Sequence, residues 1–334
     1  MGYVYKVFFL SVFLLVSSPH AVSKKKTPFT VKGSLTLFWN QYGSGQSRII
    51  TLEGKRAKTF WNRKKDGRDR QYLPLFGPVM NPKKKLIYFL ESSPSRGILH
   101  QMDLKTKKTT VLWQGHKSNV RQGIFYPWSF ADSMAFDGQK NVLYWAGRVK
   151  GRNPPTTFYR FDLNKKKPRP EMLPNFTIST GRQIGQSVVY EGVLYVSSMR
   201  EGLYAYPLGK KDARNSIIVK KNDFGTGNFR GPAFDGVRKK IYFAVGSTIY
   251  VAPLSSPHKA KKLLTLYCCQ TLWGLGIDSK NNQLFITAKN LKGVGMRGAN
   301  LYLKDLNDLN SPLQSLYFGS SSSASKNLII DEGP

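Results

Sequence analysis

Three aspartates recur at one position of a repeated pattern: Asp137 before Gly138, Asp235 before Gly236, and Asp278 before Ser279. Carboxylates that converge on one point supply the oxygen ligands that calcium needs, and a calcium-dependent hydrolase would use them so. Each of the three, however, stands beside a turn residue, where a carboxylate closes a chain reversal by accepting backbone N–H groups. That chemistry suits the positions better, and all three read as structural. His100, His116 and His258, with His20 near the N-terminus, show no metal-ligand spacing. No Gly-x-Ser-x-Gly elbow offers an activated serine. The expectation is a protein that is not an enzyme and holds no metal or cofactor.

Two further chemistries are written into the chain. Cys268 and Cys269 are its only cysteines and are adjacent. In an oxidising compartment they can bridge each other in a tight turn, their Cα atoms about 3.8 Å apart across a trans peptide. Two buried or partner-linked cysteines are the other reading. Asn175-Phe176-Thr177 is an N-glycosylation sequon, with Asn175 as acceptor.

Charge is the strongest signal. The 334 residues carry 52 Lys and Arg against 19 Asp and Glu, a formal net charge of +33. Such an excess attracts polyanions and opposes compaction by self-repulsion. Lysine dominates, and its ammonium is a flexible, hydrated point charge suited to distributed contact with sulfate, carboxylate, phosphate or carbonate.

The positioning elements follow from a repeat. An apolar strand ending near Asp, a turn, a strand with an aromatic anchor, a variable loop and a short strand ending in Leu recur along the chain. The anchors are Tyr88, Tyr144, Tyr195, Tyr242 and Phe285, separated by 56, 51, 47 and 43 residues, with Phe38 lying 50 before Tyr88. Periods of about 40 to 50 residues with short alternating strands are the signature of propeller blades. The spacing predicts an all-β, six-bladed β-propeller of four-stranded blades. Either Ser315–Phe318 or Asn327–Ile330 would pair with N-terminal strands to close it.

At the N-terminus, Lys6 precedes the apolar run Val7–Val16, and small residues occupy Ala21 and Ser23. Residues 1–23 thus read as a signal peptide, its apolar run too short to span a bilayer, which needs about twenty apolar residues. A single propeller over 24–318 and a serine-rich tail over 319–334, with a possible closing strand, complete the expected organisation. The protein is expected outside the cell, with no membrane span.

In Asp137 through Leu143-Tyr144-Trp145, and in Asp235 through Ile241-Tyr242-Phe243, the sequence resembles the YWTD propellers of the low-density lipoprotein receptor family. The Thr-Asp that ends that family's motif is replaced, with Ala146 and Ala244 at its start. Insect yellow and royal-jelly propellers look about as close. The resemblance implies a six-bladed architecture and carries over no functional residue.

On that architecture the turns joining strands one to two and three to four share one face. First-to-second turns hold Lys83, Lys84, Lys85, Lys140, Arg238, Lys239, Lys240 and Lys280. Third-to-fourth turns hold Lys55, Arg56, Lys58, Lys105, Lys107, Lys108, Lys165, Lys166, Lys167, Arg169, Lys210, Lys211, Arg214, Lys259, Lys261 and Lys262. The expected function is non-enzymatic binding of acidic extracellular polymers, or of an anionic mineral or matrix surface, by this face. Nucleic acid is not the expected natural partner. A small ligand in the central opening, near Trp128, Arg200, Phe229 and Trp273, is the alternative, and a calcium-dependent hydrolase is a third.

Overall fold

The computed structural model describes the backbone at residues 36–43, 46–53, 56–62, 75–92, 97–115, 134–148, 156–178, 184–267, 269–290, 299–318 and 328–331, and side chains within 78–91, 97–115, 134–147, 156–178, 184–267, 272–288 and 301–316. The chain is an all-β propeller of four-stranded antiparallel blades. Five sheets are each one stretch of chain, ordered as in the sequence. The first contains β4 (Leu75–Asn81), β5 (Leu86–Ser92), β6 (Gly97–Asp103) and β7 (Thr109–Gly115). The second contains β8 (Met134–Asp137), β9 (Val142–Arg148), β10 (Thr156–Asp162) and β11 (Glu171–Met172). The third is β12 (Ile184–Tyr190), β13 (Val193–Ser198), β14 (Gly202–Pro207) and β15 (Ser216–Lys220). The fourth is β16 (Phe229–Asp235), β17 (Lys240–Val245), β18 (Thr248–Pro253) and β19 (Lys261–Thr265). The fifth is β20 (Cys269–Asp278), β21 (Gln283–Asn290), β22 (Ala299–Asp305) and β23 (Gln314–Phe318).

A further four-stranded sheet is assembled from both ends of the chain, in the order β24 (Leu328–Asp331), β1 (Thr36–Gly43), β2 (Gln46–Glu53), β3 (Arg56–Asn62). Of the two apolar C-terminal segments, the later one pairs with β1, Phe38 facing Ile329. The earlier one is the outer strand of the fifth sheet, with Leu301 facing Tyr317.

The aromatic anchors occupy one register. Tyr88 faces Val79, Tyr144 faces Ala135, Tyr195 faces Val188, Tyr242 faces Ala233, and Phe285 faces Gly276. Each lies in the second strand of its sheet, where strand alternation turns it between neighbouring blades. The core is accordingly interlayered. One cluster joins Tyr144, Phe158 and Phe176 of the second sheet to Leu194, Tyr204 and Tyr206 of the third. Another joins Leu203 and Val219 of the third to Phe229, Ile241 and Phe243 of the fourth. Phe229 and Phe243 stack at 5.1 Å, and Phe224 meets Phe243 edge-on at 5.3 Å, geometries that aromatic quadrupoles favour. Burial falls outward, and β15 is exposed at three of its five positions and half-buried at a fourth.

Candidate anion-binding face

Each of the five single-stretch sheets brings its two hairpin turns together by one repeated hydrogen bond. The N–H of Leu104, Leu163, Leu208, Leu254 and Leu306 donates to the carbonyl of Lys85, Asn141, Gly192, Lys239 and Asn282 respectively, at 2.8–3.1 Å. Those acceptors all have positive φ, from 47–73° across their turns including Glu191. Asn and Gly tolerate that conformation, whereas Lys85 and Lys239 hold it at local cost. Antiparallel pairing places both turns at the same end of the sheet.

The aspartates build these turns. Asp137 Oδ1 accepts the N–H groups of Gln139 and Lys140, both at 3.0 Å. Asp235 Oδ1 accepts those of Val237 and Arg238, both at 3.1 Å, and Asp278 Oδ1 accepts that of Asn281 at 2.9 Å. Asn81 does the same for Lys84 at 3.2 Å. These carboxylates are buried and committed to backbone. Among the described residues, no group of three His, Cys, Asp or Glu gathers to hold a metal. His100 is buried 3.1 Å from Glu91 and stacks on Phe89 at 4.9 Å.

The turn ends surround an axial cavity of about 260 Å³, lined by Val79, Phe136, Val189, Phe234 and Ile277 together with their strand neighbours. Those residues come from the ends of β4, β8, β12, β16 and β20 nearest the first turns, so the cavity and the lysine-bearing turns share one side. Burial pushes the hydroxyls of Tyr144 and Tyr242 up to about 12, with the charges of Asp137 and Asp235 adding to it. Both remain neutral phenols at physiological pH.

The expected cations fall into three groups. Lys83, Lys84, Lys108, Lys166, Lys167, Lys210, Lys211, Lys240, Lys261 and Lys262 are exposed. Among the described residues none of these ten pairs with a carboxylate. Lys85 and Lys107 also lie in these turns, with φ of 50° and 59°. Arg238, Lys239 and Lys165 are already engaged. Arg238 Nη1 reaches Asp235 Oδ2 at 3.1 Å and the carbonyl of Ser279 in the next sheet at 2.8 Å. Lys239 Nζ reaches Glu191 Oε1 at 2.7 Å and Tyr190 Oη at 3.1 Å in the preceding sheet. Lys165 pairs with Glu171, which also binds Arg160 at 2.6 Å and 2.9 Å. These three serve as clasps first. Arg160 was not singled out from the sequence because Phe158–Asp162 reads there as a core strand; its alternation with Phe161 was the available signal.

Asn175 is exposed, with φ 54°, in the link after β11. Phe229 is fully buried in the core, and Arg230 holds its guanidinium 5.0 Å from the ring centre of Trp273. Arg200 is exposed. Residues 1–23, Cys268, Trp128 and His116 lie outside the described residues, and Cys269 is described only in its backbone. Among the described residues no helix is long and apolar enough to cross a membrane.

No family profile matches the sequence, and neither does any curated protein sequence. Solved structures do resemble it. A chain of a nidogen/laminin complex superposes with a TM-score of 0.62 at 13% identity, over 89% of this chain and 98% of that one. TolB from Acinetobacter baumannii gives 0.59 at 12% identity, over 88% of this chain and 66% of TolB. A protein of unknown function from Bacteroides thetaiotaomicron gives 0.50 at 13% identity, over 86% and 79%. At such identities the likeness is one of fold.

Proposed function

We propose that the protein is an exported, non-enzymatic binding protein whose lysine-rich face holds acidic extracellular polymers or an anionic mineral or matrix surface. The observation that carries this reading is a set of ten exposed lysines, without carboxylate partners among the described residues, in or beside the hairpin turns of the sheets. Unpaired ammonium groups on one surface focus a field that attracts a polyanion and releases its counterions on contact. The reading includes removal of residues 1–23, a glycan at Asn175, and a closed ring of six blades with the β24–β1–β2–β3 sheet as the sixth. Packing of β24 against both β20 and β4 supports that closure.

Retention on immobilised heparin tests the reading. The mature protein should elute above physiological ionic strength, and charge-neutralising substitutions at Lys83, Lys84, Lys166 and Lys167 should lower the eluting salt. Elution of the unaltered protein below physiological ionic strength would overturn it.

The axial cavity favours one second reading, a small ligand seated at the centre of the same face. Its lining side chains are apolar apart from Gln186 and Ser187, with main-chain polar groups exposed between them. Thermal-shift screening of small anions and amines tests this, and a uniform lack of response rejects it.

A further inference from the structure

A second cavity lies between two blades rather than on the axis. It measures about 470 Å³ and is bounded by Lys140, Val142, Tyr144, Arg160 and Asp162 of the second sheet, Leu173 and Pro174 beyond β11, and Tyr206 through Lys211 in part of the third. That size falls within the range of small-ligand sites, about 300–1,000 Å³. We propose that this cleft is a discrete site for one acidic sugar residue bearing a sulfate or carboxylate. The proposal rests on the polyanion-binding reading and gives it a specific anchor.

Four cations face one carboxylate there. Asp162 is occupied in part, accepting the N–H of Asn164 at 2.9 Å. Arg160 is held in place by Glu171, so its guanidinium is pre-positioned at the wall. Lys140, Lys210 and Lys211 pair with no carboxylate among the described residues. All three line the cleft, and Lys140 reaches the third-sheet turn at Gly209, φ 87°, where a Cβ would stand 3.2 Å from its Nζ. The glycine thus lets a lysine from one blade lie against the turn of the next.

The walls select for a hydroxyl-bearing anion. Tyr206 donates its hydroxyl to the carbonyl of Pro174 at 2.8 Å, which leaves its oxygen as an acceptor. Tyr144 lines the same cleft and is only 4% exposed. Both rings are too buried to act as stacking platforms for a nucleobase. The apolar lining is limited to Val142, Leu173, Pro174 and Leu208, which cannot enclose an acyl chain. A compact polar ring with an acidic substituent satisfies the ammonium groups and both phenols.

Titration calorimetry with a sulfated heparin disaccharide tests the site in the full mature protein. The unaltered protein should bind one equivalent saturably. A Lys140→Gln, Lys210→Gln, Lys211→Gln variant should bind about tenfold more weakly or worse. A control with the same charge loss at the opposite end of the third sheet, Arg200→Gln, Lys220→Gln, Lys221→Gln, should bind the disaccharide as the unaltered protein does. Tyr144→Phe, which removes one hydroxyl, should weaken binding several-fold. Absence of saturable binding, or equal weakening in both triple variants, overturns the site. Inorganic sulfate competing at the same concentration as the disaccharide overturns the assignment to a sugar. Heparin-column retention without disaccharide binding rejects the cleft alone, whereas loss of both rejects the polyanion reading on which it stands.

Discussion

The side chain of Gln186 in β12 exchanges two hydrogen bonds with the main chain of Leu275 in β20. Its Nε2 donates to the Leu275 carbonyl at 3.0 Å, and its Oε1 accepts the Leu275 N–H at 3.3 Å. Both partners are buried and belong to sheets separated by a third. A register shift in β12 between Ile184 and Ser187 permits it, since the bulge re-aims the side chain toward the axis. Gln186→Leu would leave a buried N–H and carbonyl without partners, and should cost about 2–3 kcal/mol. Urea denaturation at unchanged m-value measures this; a loss below about 0.5 kcal/mol would mean the two bonds are dispensable.

The turn role of Asp235 can be separated from any chemical role. Asp235→Asn keeps an acceptor for Val237 and Arg238 and should retain most of the stability. Asp235→Ala strands two N–H groups and removes the carboxylate partner of Arg238, which keeps the Ser279 carbonyl, and should cost about 2–4 kcal/mol. Comparable losses in the two variants would show that the charge, rather than the acceptor, matters.

Gly202 begins β14 at φ 135°, and a Cβ there would stand 1.9 Å from the carbonyl oxygen of Val219. The clash is with backbone, which cannot rotate away. Gly202→Ala should therefore destabilise by more than the roughly 1–3 kcal/mol of an ordinary strained position. Soluble expression with a wild-type melting temperature would contradict the close approach of β14 and β15.

Glu171 gives a pH dependence of known sign. Hydrogen bonds from Lys165 and then Arg160 hold its carboxyl below its ordinary value of 4.5. A depressed folded-state pKa stabilises the protein above the unfolded value, and that gain is lost as pH falls through the folded value. The groups are exposed, so the gain should stay below about 1 kcal/mol and shrink in high salt. Glu171→Gln should melt slightly earlier at pH 7, and the difference from the unaltered protein should close as pH falls below 4.5 and through the depressed folded value. A gap that persisted under acid conditions would assign the effect to packing. The same substitution releases Arg160 and Lys165, and should raise the salt needed for elution from heparin.

Much of the architecture was legible because propeller blades repeat a local pattern. The alternation around Tyr88, Tyr144, Tyr195, Tyr242 and Phe285 sets which side chains face between blades, and each anchor lies in the expected strand. The turn role of Asp137, Asp235 and Asp278 was legible for the same reason: an aspartate beside a glycine or serine acts within three residues of itself. Charge, too, is a property of composition, and its placement at hairpin tips follows from strand alternation.

What lay beyond the sequence involves partners far apart along the chain. Two short apolar segments were equal candidates to meet β1, and only the pairing of Phe38 with Ile329 distinguishes them. Lys239, in the turn, and Lys240, the first residue of β17, are adjacent and look alike in sequence. Lys239 is tied to Glu191 in the preceding blade, whereas Lys240 has no carboxylate partner among the described residues. The inter-blade cleft joins Lys140 to Lys210 and Lys211, and no local pattern records that juxtaposition. Local sequence sets the turns and strand faces because those forces act over a few residues. Which lysines remain available to a ligand depends on which carboxylates from other blades reach them, and folding alone settles those distances.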